Sequence, residues 1–212
     1  MTKIQILDYG SGNLFSIENS IKKSFPSVEV TVGSEMQGDI DGLILPGVGS
    51  FSSAQGILLA NRAAIFKGVT SRKLPLLGIC LGMQLLFEKS EEGPGEGLKF
   101  FRGNVKAFSS ESKLKIPHLG WNTLCDVSQD SVFCNGLKSG EWVYYAHSFY
   151  PVPEDRGVVK AWTRYGDEEF PSIIESQNIF GTQFHPEKSG RVGARLVSNF
   201  VSICEDWSQL AP

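Results

Sequence analysis

A cysteine between two glycines lies where an apolar segment gives way to a helical pattern. Cys80 is the centre of the run Gly78–Gly82, GICLG, which fits the strand–turn–helix pattern of a nucleophile elbow with cysteine in place of serine. A nucleophile on such a sharp turn has strained backbone angles and needs small neighbours, which explains the two glycines. We therefore predict that Cys80 is a catalytic nucleophile. A buried structural cysteine is the alternative.

The other cysteines differ in their surroundings. Cys125, Cys134 and Cys204 have no such flanking glycines, and we interpret them as structural. The chain has four cysteines and no closely spaced CxxC pair, so neither a zinc knuckle nor a disulfide framework is indicated. This usage predicts reduced thiols and a cytoplasmic location.

A histidine followed by proline and glutamate supplies the candidate base. At positions i and i+2 of an extended segment, His185 and Glu187 would point to the same side, so the carboxylate can orient the imidazole. Pro186 would hold that extended geometry. The segment follows a predicted strand, Ile179–Gln183, which would bring His185 to the sheet edge where open α/β sheets bind ligands.

An acyl-transfer site also needs N–H donors for a tetrahedral oxyanion. We expect one donor from the backbone of Leu81, next to the nucleophile. A second is predicted from the loop of Gly47, Val48 and Gly49, where glycines after a strand allow close approach to a ligand. Taken alone, this loop is a plain turn. Metal and cofactor are not expected, because His118, His147 and His185 lack ligand spacing.

Strands and helices alternate in the first half of the chain, and strands dominate the second. Continuous apolar strands predict an α/β fold with a twisted, mainly parallel sheet flanked by helices and an antiparallel strand extension. We expect one domain over residues 1–212. The predicted strands are Lys3–Asp8, Val28–Val32, Leu43–Leu45, Leu74–Ile79, Asn104–Phe108, Leu114–Ile116, Trp142–Ala146, Val158–Thr163, Ser172–Glu175 and Ile179–Gln183. The first predicted helix begins near Leu14 and ends before Pro26. The other predicted helices are Ser52–Val69, Leu81–Glu88 and Val192–Ile203.

Composition excludes several classes of protein. The 212 residues are 41% hydrophobic and 20% charged, with a net charge of −3. These values are typical of a globular protein and exclude a disordered chain or a collagen-like fibre. The weak acidic balance argues against nucleic-acid binding and against a polybasic membrane surface. No apolar run reaches the roughly 18 residues of a membrane helix.

Three segments in order along the chain resemble the class I, triad-type glutamine amidotransferases: LPGVGSF, GICLGMQLLF and FHPEKSG. With DYGSGNLFS, IPHLGWN and YYAHSFY, the likeness extends over almost the whole chain. It is most similar to the glutaminase subunits of imidazole glycerol phosphate synthases, of histidine biosynthesis. This resemblance implies that Cys80 attacks the carboxamide of glutamine, with His185 as acid and base and Glu187 as orienting carboxylate. It further implies substrate contacts at Gly49, Gln84 and the backbone of Ser148 and Phe149.

The resemblance also implies a partner. In this family, ammonia passes into a separate (β/α)8-barrel cyclase subunit, which forms imidazole glycerol phosphate and AICAR. Tyr144 and Lys188 match family positions at the mouth of the ammonia tunnel, and Trp121 matches an interface anchor. A core tryptophan is the alternative for Trp121.

Three other functions stay open on the sequence. One is the glutaminase subunit of pyridoxal phosphate synthase, which IPHLGWN and HPEKSG disfavour. The second is a γ-glutamyl peptidase of the same fold, which would need no partner. The third is a scaffold without catalysis, which would normally lack a member of the triad, whereas all three are present here.

Overall fold

The computed structural model describes residues 1–10, 14–47, 49–109 and 114–210. Its strands are β1 Lys3–Leu7, β2 Glu29–Gly33, β3 Gly42–Leu45, β4 Leu76–Ile79, β5 Gly103–Ala107, β6 His118–Thr123, β7 Trp142–His147, β8 Phe149–Pro153, β9 Val159–Tyr165, β10 Glu168–Ser176 and β11 Ile179–Thr182. Its α-helices are α1 Leu14–Ser24, α2 Gln55–Phe66, α3 Leu81–Gln84 and α4 Gly190–Leu210.

Seven strands form the central sheet, in the order β2-β1-β3-β4-β11-β10-β9. The first five are mutually parallel, and β10 and β9 extend the sheet in antiparallel fashion. Strands β3 and β4 are buried along their whole length, as expected when helices cover both faces of a parallel sheet. The predicted fold class is confirmed.

Two apolar clusters cover the two faces of the sheet. On one face, α1 and α4 pack against the central sheet through residues such as Ile17, Ile21 and Phe200. On the other, α2 packs against β3 through residues such as Leu58 and Leu43. In the described part of the chain, no helix is both long and apolar enough to cross a membrane.

Two small antiparallel sheets lie beside the main one, and the sequence did not indicate them fully. Strand β5 pairs with β8, and β6 pairs with β7. The predicted strand Leu114–Ile116 is wrong, because the strand of this region is β6, which begins at His118. Strand β8 was not predicted. Its apolar residues alternate with prolines, which weaken a strand signal.

Helix boundaries also differ from the predictions. The predicted helix Leu81–Glu88 is wrong in length, since α3 ends at Gln84. Helix α2 begins at Gln55, and a π-helical turn over Lys67–Ser71 follows it. Helix α4 is longer at both ends than Val192–Ile203. The predicted loop after β1 extends into residues 11–13, outside the described residues.

Candidate active site

Cys80 lies on the sharp turn between β4 and α3. Its backbone has φ 50° and ψ −103°, in the region with positive φ that residues other than glycine rarely adopt. The turn is fixed by a hydrogen bond of 2.6 Å from Cys80 N to Thr182 O on β11. A Cβ atom on Gly82 would lie 2.0 Å from Leu45 O. Only glycine fits there, so the flanking glycine allows the turn to pack against β3.

His185 and Glu187 meet next to this turn. The distance from His185 Nδ1 to Glu187 Oε1 is 2.9 Å, and both side chains are almost completely buried. The expectation of an extended segment is wrong, because Pro186–Lys188 forms a 3-10 turn. The turn itself brings the carboxylate back to the imidazole. His185 N donates to Tyr144 O at 2.9 Å, and Tyr144 N donates to Ser189 Oγ at 3.0 Å, which ties this segment to β7.

The electrostatics of His185 favour its charged form. Burial lowers the pKa of an imidazole, but hydrogen bonding and attraction from Cys80 and Glu187 outweigh burial and raise the pKa of His185 to about 10. A base between a thiol and a carboxylate is the arrangement of a cysteine nucleophile with its oriented histidine. The structure therefore brings Cys80, His185 and Glu187 together in the order that acyl transfer requires.

A pocket of about 310 Å³ opens over the Cys80 thiol. It is lined by Gly47, Gly49, Cys80, Leu81, Gln84, Glu92, Pro117, Leu119, Ala146, His147, Ser148, Phe149, His185 and Lys188. All the residues predicted for substrate or oxyanion binding line it except Val48, which lies outside the described residues. The absence of a side chain at Gly47 permits its close approach, since a Cβ there would lie 2.9 Å from Cys80 Cβ.

Two polar residues of this region were missed by sequence reasoning. Glu92 contributes the carboxylate of the pocket, and its Oε2 accepts a hydrogen bond of 2.7 Å from Phe51 N. Gln183 is fully buried behind the thiol. Its position two residues before His185 was the only available signal. Neither residue has a distinctive spacing of its own.

The three predicted interface residues lie side by side, with Tyr144 between Lys188 and Trp121. Lys188 Nζ lies 5.6 Å from the centre of the Tyr144 ring, and the Tyr144 and Trp121 rings are 5.9 Å apart. Trp121 is 52% exposed, so the alternative of a core tryptophan is wrong. Lys188 also lines the pocket, whereas Trp121 and Tyr144 lie on the outer side of the β6–β7 sheet.

A buried histidine pair connects the same small sheet to the pocket. His118 Nδ1 and His147 Nε2 are 3.1 Å apart, and His147 Nδ1 lies 2.9 Å from Phe149 O. Burial lowers the pKa of His118 to about 4, and burial is also the main cause that lowers the pKa of His147 to about 3. Both rings are therefore neutral at neutral pH. Across the described segments, no group of three or more His, Cys, Asp or Glu could hold a metal ion.

This pair predicts a pH-dependent stability. In the unfolded chain both histidines bind protons below about 6.5, whereas in the folded chain they stay neutral until about pH 4 and about pH 3. The free energy of unfolding therefore falls as the pH drops from about 6.5 towards 4, by at most about 1.4 kcal/mol per pH unit for each histidine. Urea unfolding of the wild type and of His147→Gln at pH 7.5 and 5 measures this. The loss between the two pH values should be smaller in the variant, and equal losses would contradict the assignment.

The fold described above is shared with known glutamine amidotransferases. The sequence profile of the family "Glutamine amidotransferase class-I" matches residues 5–204. Three solved structures share the fold at 20–21% sequence identity. A Thermoplasma acidophilum protein assigned to GMP synthase has a TM-score of 0.71, with 99% of this chain and 97% of that one covered. A glutamine amidotransferase has a TM-score of 0.71, with 95% of this chain and 98% of its own covered, and PurLQS from Thermotoga maritima has 0.65, with the same 95% and 98% covered.

Relatives of known name are closer in sequence. The imidazole glycerol phosphate synthase subunit HisH of Geobacillus thermodenitrificans is 44% identical over 96% of this chain and 97% of its own length. The subunit HisH of Methanocaldococcus jannaschii is 44% identical over 94% and 99%. The chain belongs to the class-I glutamine amidotransferases and, within them, to the HisH subunits of imidazole glycerol phosphate synthase, an enzyme of histidine biosynthesis. The sequence-based prediction of this family is confirmed.

Proposed function

We propose that this chain, as a single domain over residues 1–212, hydrolyses glutamine through a thioester on Cys80 and delivers the ammonia to a (β/α)8-barrel cyclase subunit. That partner would use the ammonia to form imidazole glycerol phosphate and AICAR. The observation that carries the proposal is the Cys80 thiol at the floor of a pocket, in contact with a buried His185 that pairs with Glu187. We place this reaction in the cytoplasm and assign it no cofactor.

In the acylation step, Cys80 Sγ forms a bond to the carboxamide carbon of glutamine, and the carbonyl oxygen becomes an oxyanion. Backbone N–H groups of Leu81 and of the Gly47–Gly49 loop are the proposed donors to that oxygen. The imidazolium of His185 gives its Nε2 proton to the leaving nitrogen. Ammonia departs and a glutamyl thioester remains on Cys80.

In the deacylation step, neutral His185 takes a proton from water as the water oxygen bonds to the thioester carbon. Collapse of the second tetrahedral intermediate releases glutamate and returns the thiolate, next to the recharged imidazolium. Glu187 keeps the Nδ1–H of His185 directed at its own oxygen throughout, at 2.9 Å. The same group thus serves as acid and then as base.

The residues that line the pocket suit glutamine in their chemistry. Gln84, Gly49, Ser148 and Phe149 line it, and we assign the backbone of the last two to contacts with the substrate. Glu92 lines the same pocket as Cys80. Its carboxylate suits the α-ammonium group of an amino acid, so we assign it to that end of the substrate.

The handover of ammonia requires a closed path, because free ammonia is mostly protonated in neutral water and is then no nucleophile. The β6–β7 sheet offers a surface for the partner, since Leu119, Trp121 and Trp142 are all more than half exposed. Exposed apolar residues grouped in this way mark interaction sites, and tryptophan is enriched among residues that dominate binding energy. Lys188 and Tyr144 connect this surface to the pocket.

The test is glutamate release from glutamine by the purified chain, alone and with an acceptor analogue and the barrel partner. We expect strong stimulation by the partner. Trp121→Ala should weaken the stimulation, because it removes an exposed anchor, while Leu59→Ala, which removes an exposed apolar side chain from α2, is the control. High activity without a partner would instead identify a free γ-glutamyl hydrolase, and activity under no condition would identify a scaffold.

A further inference from the structure

Gln183 follows β11 directly and is completely buried. Its side chain forms hydrogen bonds at both ends. Gln183 Nε2 lies 3.6 Å from Cys80 Sγ, within the range for a hydrogen bond to sulfur, and Gln183 Oε1 lies 3.4 Å from Gln84 Nε2. Its backbone N donates to Ser172 O at 2.9 Å, which anchors the residue to β10. Gln183 therefore sits between the nucleophile and a residue of the substrate pocket.

The orientation of the amide follows from its neighbours. Phe149 O can only accept, and it accepts from Gln84 Nε2 at 2.9 Å. The nitrogen of Gln84 therefore faces Gln183 as well, which requires the oxygen of Gln183 on that side and its nitrogen towards the sulfur. The reversed amide would set two donors against each other.

We propose that Gln183 is a catalytic residue of the glutaminase reaction, whose amide N–H stabilises the thiolate of Cys80 and couples it to Gln84. Because the bond has a charged acceptor only while the sulfur is a thiolate, it favours formation of the nucleophile before attack. It also favours departure of the sulfur when the second tetrahedral intermediate collapses. No water competes for a donor that is completely buried, which strengthens the interaction. The inference rests on the proposed function, since it assigns Cys80 as nucleophile.

Alkylation of Cys80 tests this without glutamine or a partner. The rate of reaction of the full chain with iodoacetamide is followed from pH 5 to 10, and the peptide that carries Cys80 is quantified by mass spectrometry. In Gln183→Met, which keeps the volume and removes the donor, we expect the pH of half-maximal rate to rise by about one unit and the rate at pH 7 to fall about tenfold. Gln183→Glu should shift the profile at least as far, because a carboxylate repels the thiolate.

The matched control is Gln5→Met. Gln5 is also fully buried, and its side chain also forms two hydrogen bonds, to Glu35 O and from Gln37 N, but it lies on β1, which β3 separates from β4. It should leave the alkylation profile unchanged. Wild-type profiles in both Gln183 variants, or an equal shift in Gln5→Met, would overturn the proposal.

The two failures can be told apart. If wild-type Cys80 is no more reactive at pH 7 than Cys125, which is partly exposed, the proposed nucleophile is wrong and both proposals fall. If wild-type Cys80 is more reactive than Cys125 and both Gln183 variants keep the wild-type alkylation profile, the proposed role of Gln183 is excluded. The assignment of Cys80 as nucleophile then stands. Gln183→Glu is nearly isosteric, so it gives a result even if the methionine variant does not fold.

Discussion

Replacement of Cys80 by alanine is expected to reduce glutamate release by about 10⁴-fold or more, because no other group can form the thioester. Residual turnover would come only from binding and from the oxyanion donors. The free energy of unfolding should fall only slightly, because Cys80 is buried but borders the pocket, and the change removes a single sulfur atom. The measurement is glutamate formed by the complex with its partner, together with the unfolding midpoint of each chain.

Cys134→Ala is the matched control for this change. Cys134 is a free, buried cysteine, and burial raises the pKa of its thiol to about 11, so it stays protonated. Its replacement should lower stability through a small cavity but keep glutaminase activity within about twofold of the wild type. Substantial activity in Cys80→Ala would contradict a covalent mechanism.

Glu187→Gln is expected to lower glutamate release by about 10²–10⁴-fold, since the carboxylate orients His185 and stabilises its imidazolium. Attraction from Glu187 is one of the causes that raise the pKa of His185 to about 10. Without that negative charge the pKa of His185 falls, and the imidazolium is lost at a lower pH. The alkaline side of the pH–rate profile should therefore move to lower pH, so the deficit is larger at pH 9 than at pH 6.

A matched carboxylate separates this effect from a general loss of stability. Glu175 accepts hydrogen bonds from Ser131 Oγ and Phe133 N and does not line the pocket. Glu175→Gln should leave both the rate and the pH profile of glutamate release unchanged. If Glu187→Gln keeps the wild-type profile, or if Glu175→Gln shifts it equally, the assignment of Glu187 is wrong.

Local patterns in the sequence predicted the parallel half of the fold and the principal residues of the candidate site. The glycines on either side of Cys80 marked its turn, because neither position has room for a side chain. A Cβ on Gly82 would lie 2.0 Å from Leu45 O, and a Cβ on Gly78 would lie 2.5 Å from Gly82 O. The spacing of His185 and Glu187 also indicated their pairing. The predicted extended backbone of this segment was wrong, however. Proline is common both at the first position of a helical turn and in extended segments, so the sequence did not distinguish the two.

Features that depend on contacts between distant residues were harder to predict. The sheet of β6 and β7 joins segments with Trp121 opposite Tyr144, and the pairing of distant strands leaves little local signal. The His118–His147 pair depends on the same register. Gln183 is a polar residue at the end of an apolar strand, and its contacts with Cys80 and Gln84 exist only once β4, α3 and β11 are packed together.

The 3-10 turn Pro186–Lys188 has consequences for any attempt to retarget this chain to another partner. Adjacent residues of one short turn serve both roles: Glu187 points inward to His185, while Lys188 is exposed and contacts Tyr144. The docking face, formed by the exposed side of the β6–β7 sheet and Lys188, therefore cannot be redesigned without affecting the catalytic residues. Residues around Lys188 would have to be varied under selection for glutamate release as well as for binding, whereas the far end of the same face, at Trp142, can be randomised first.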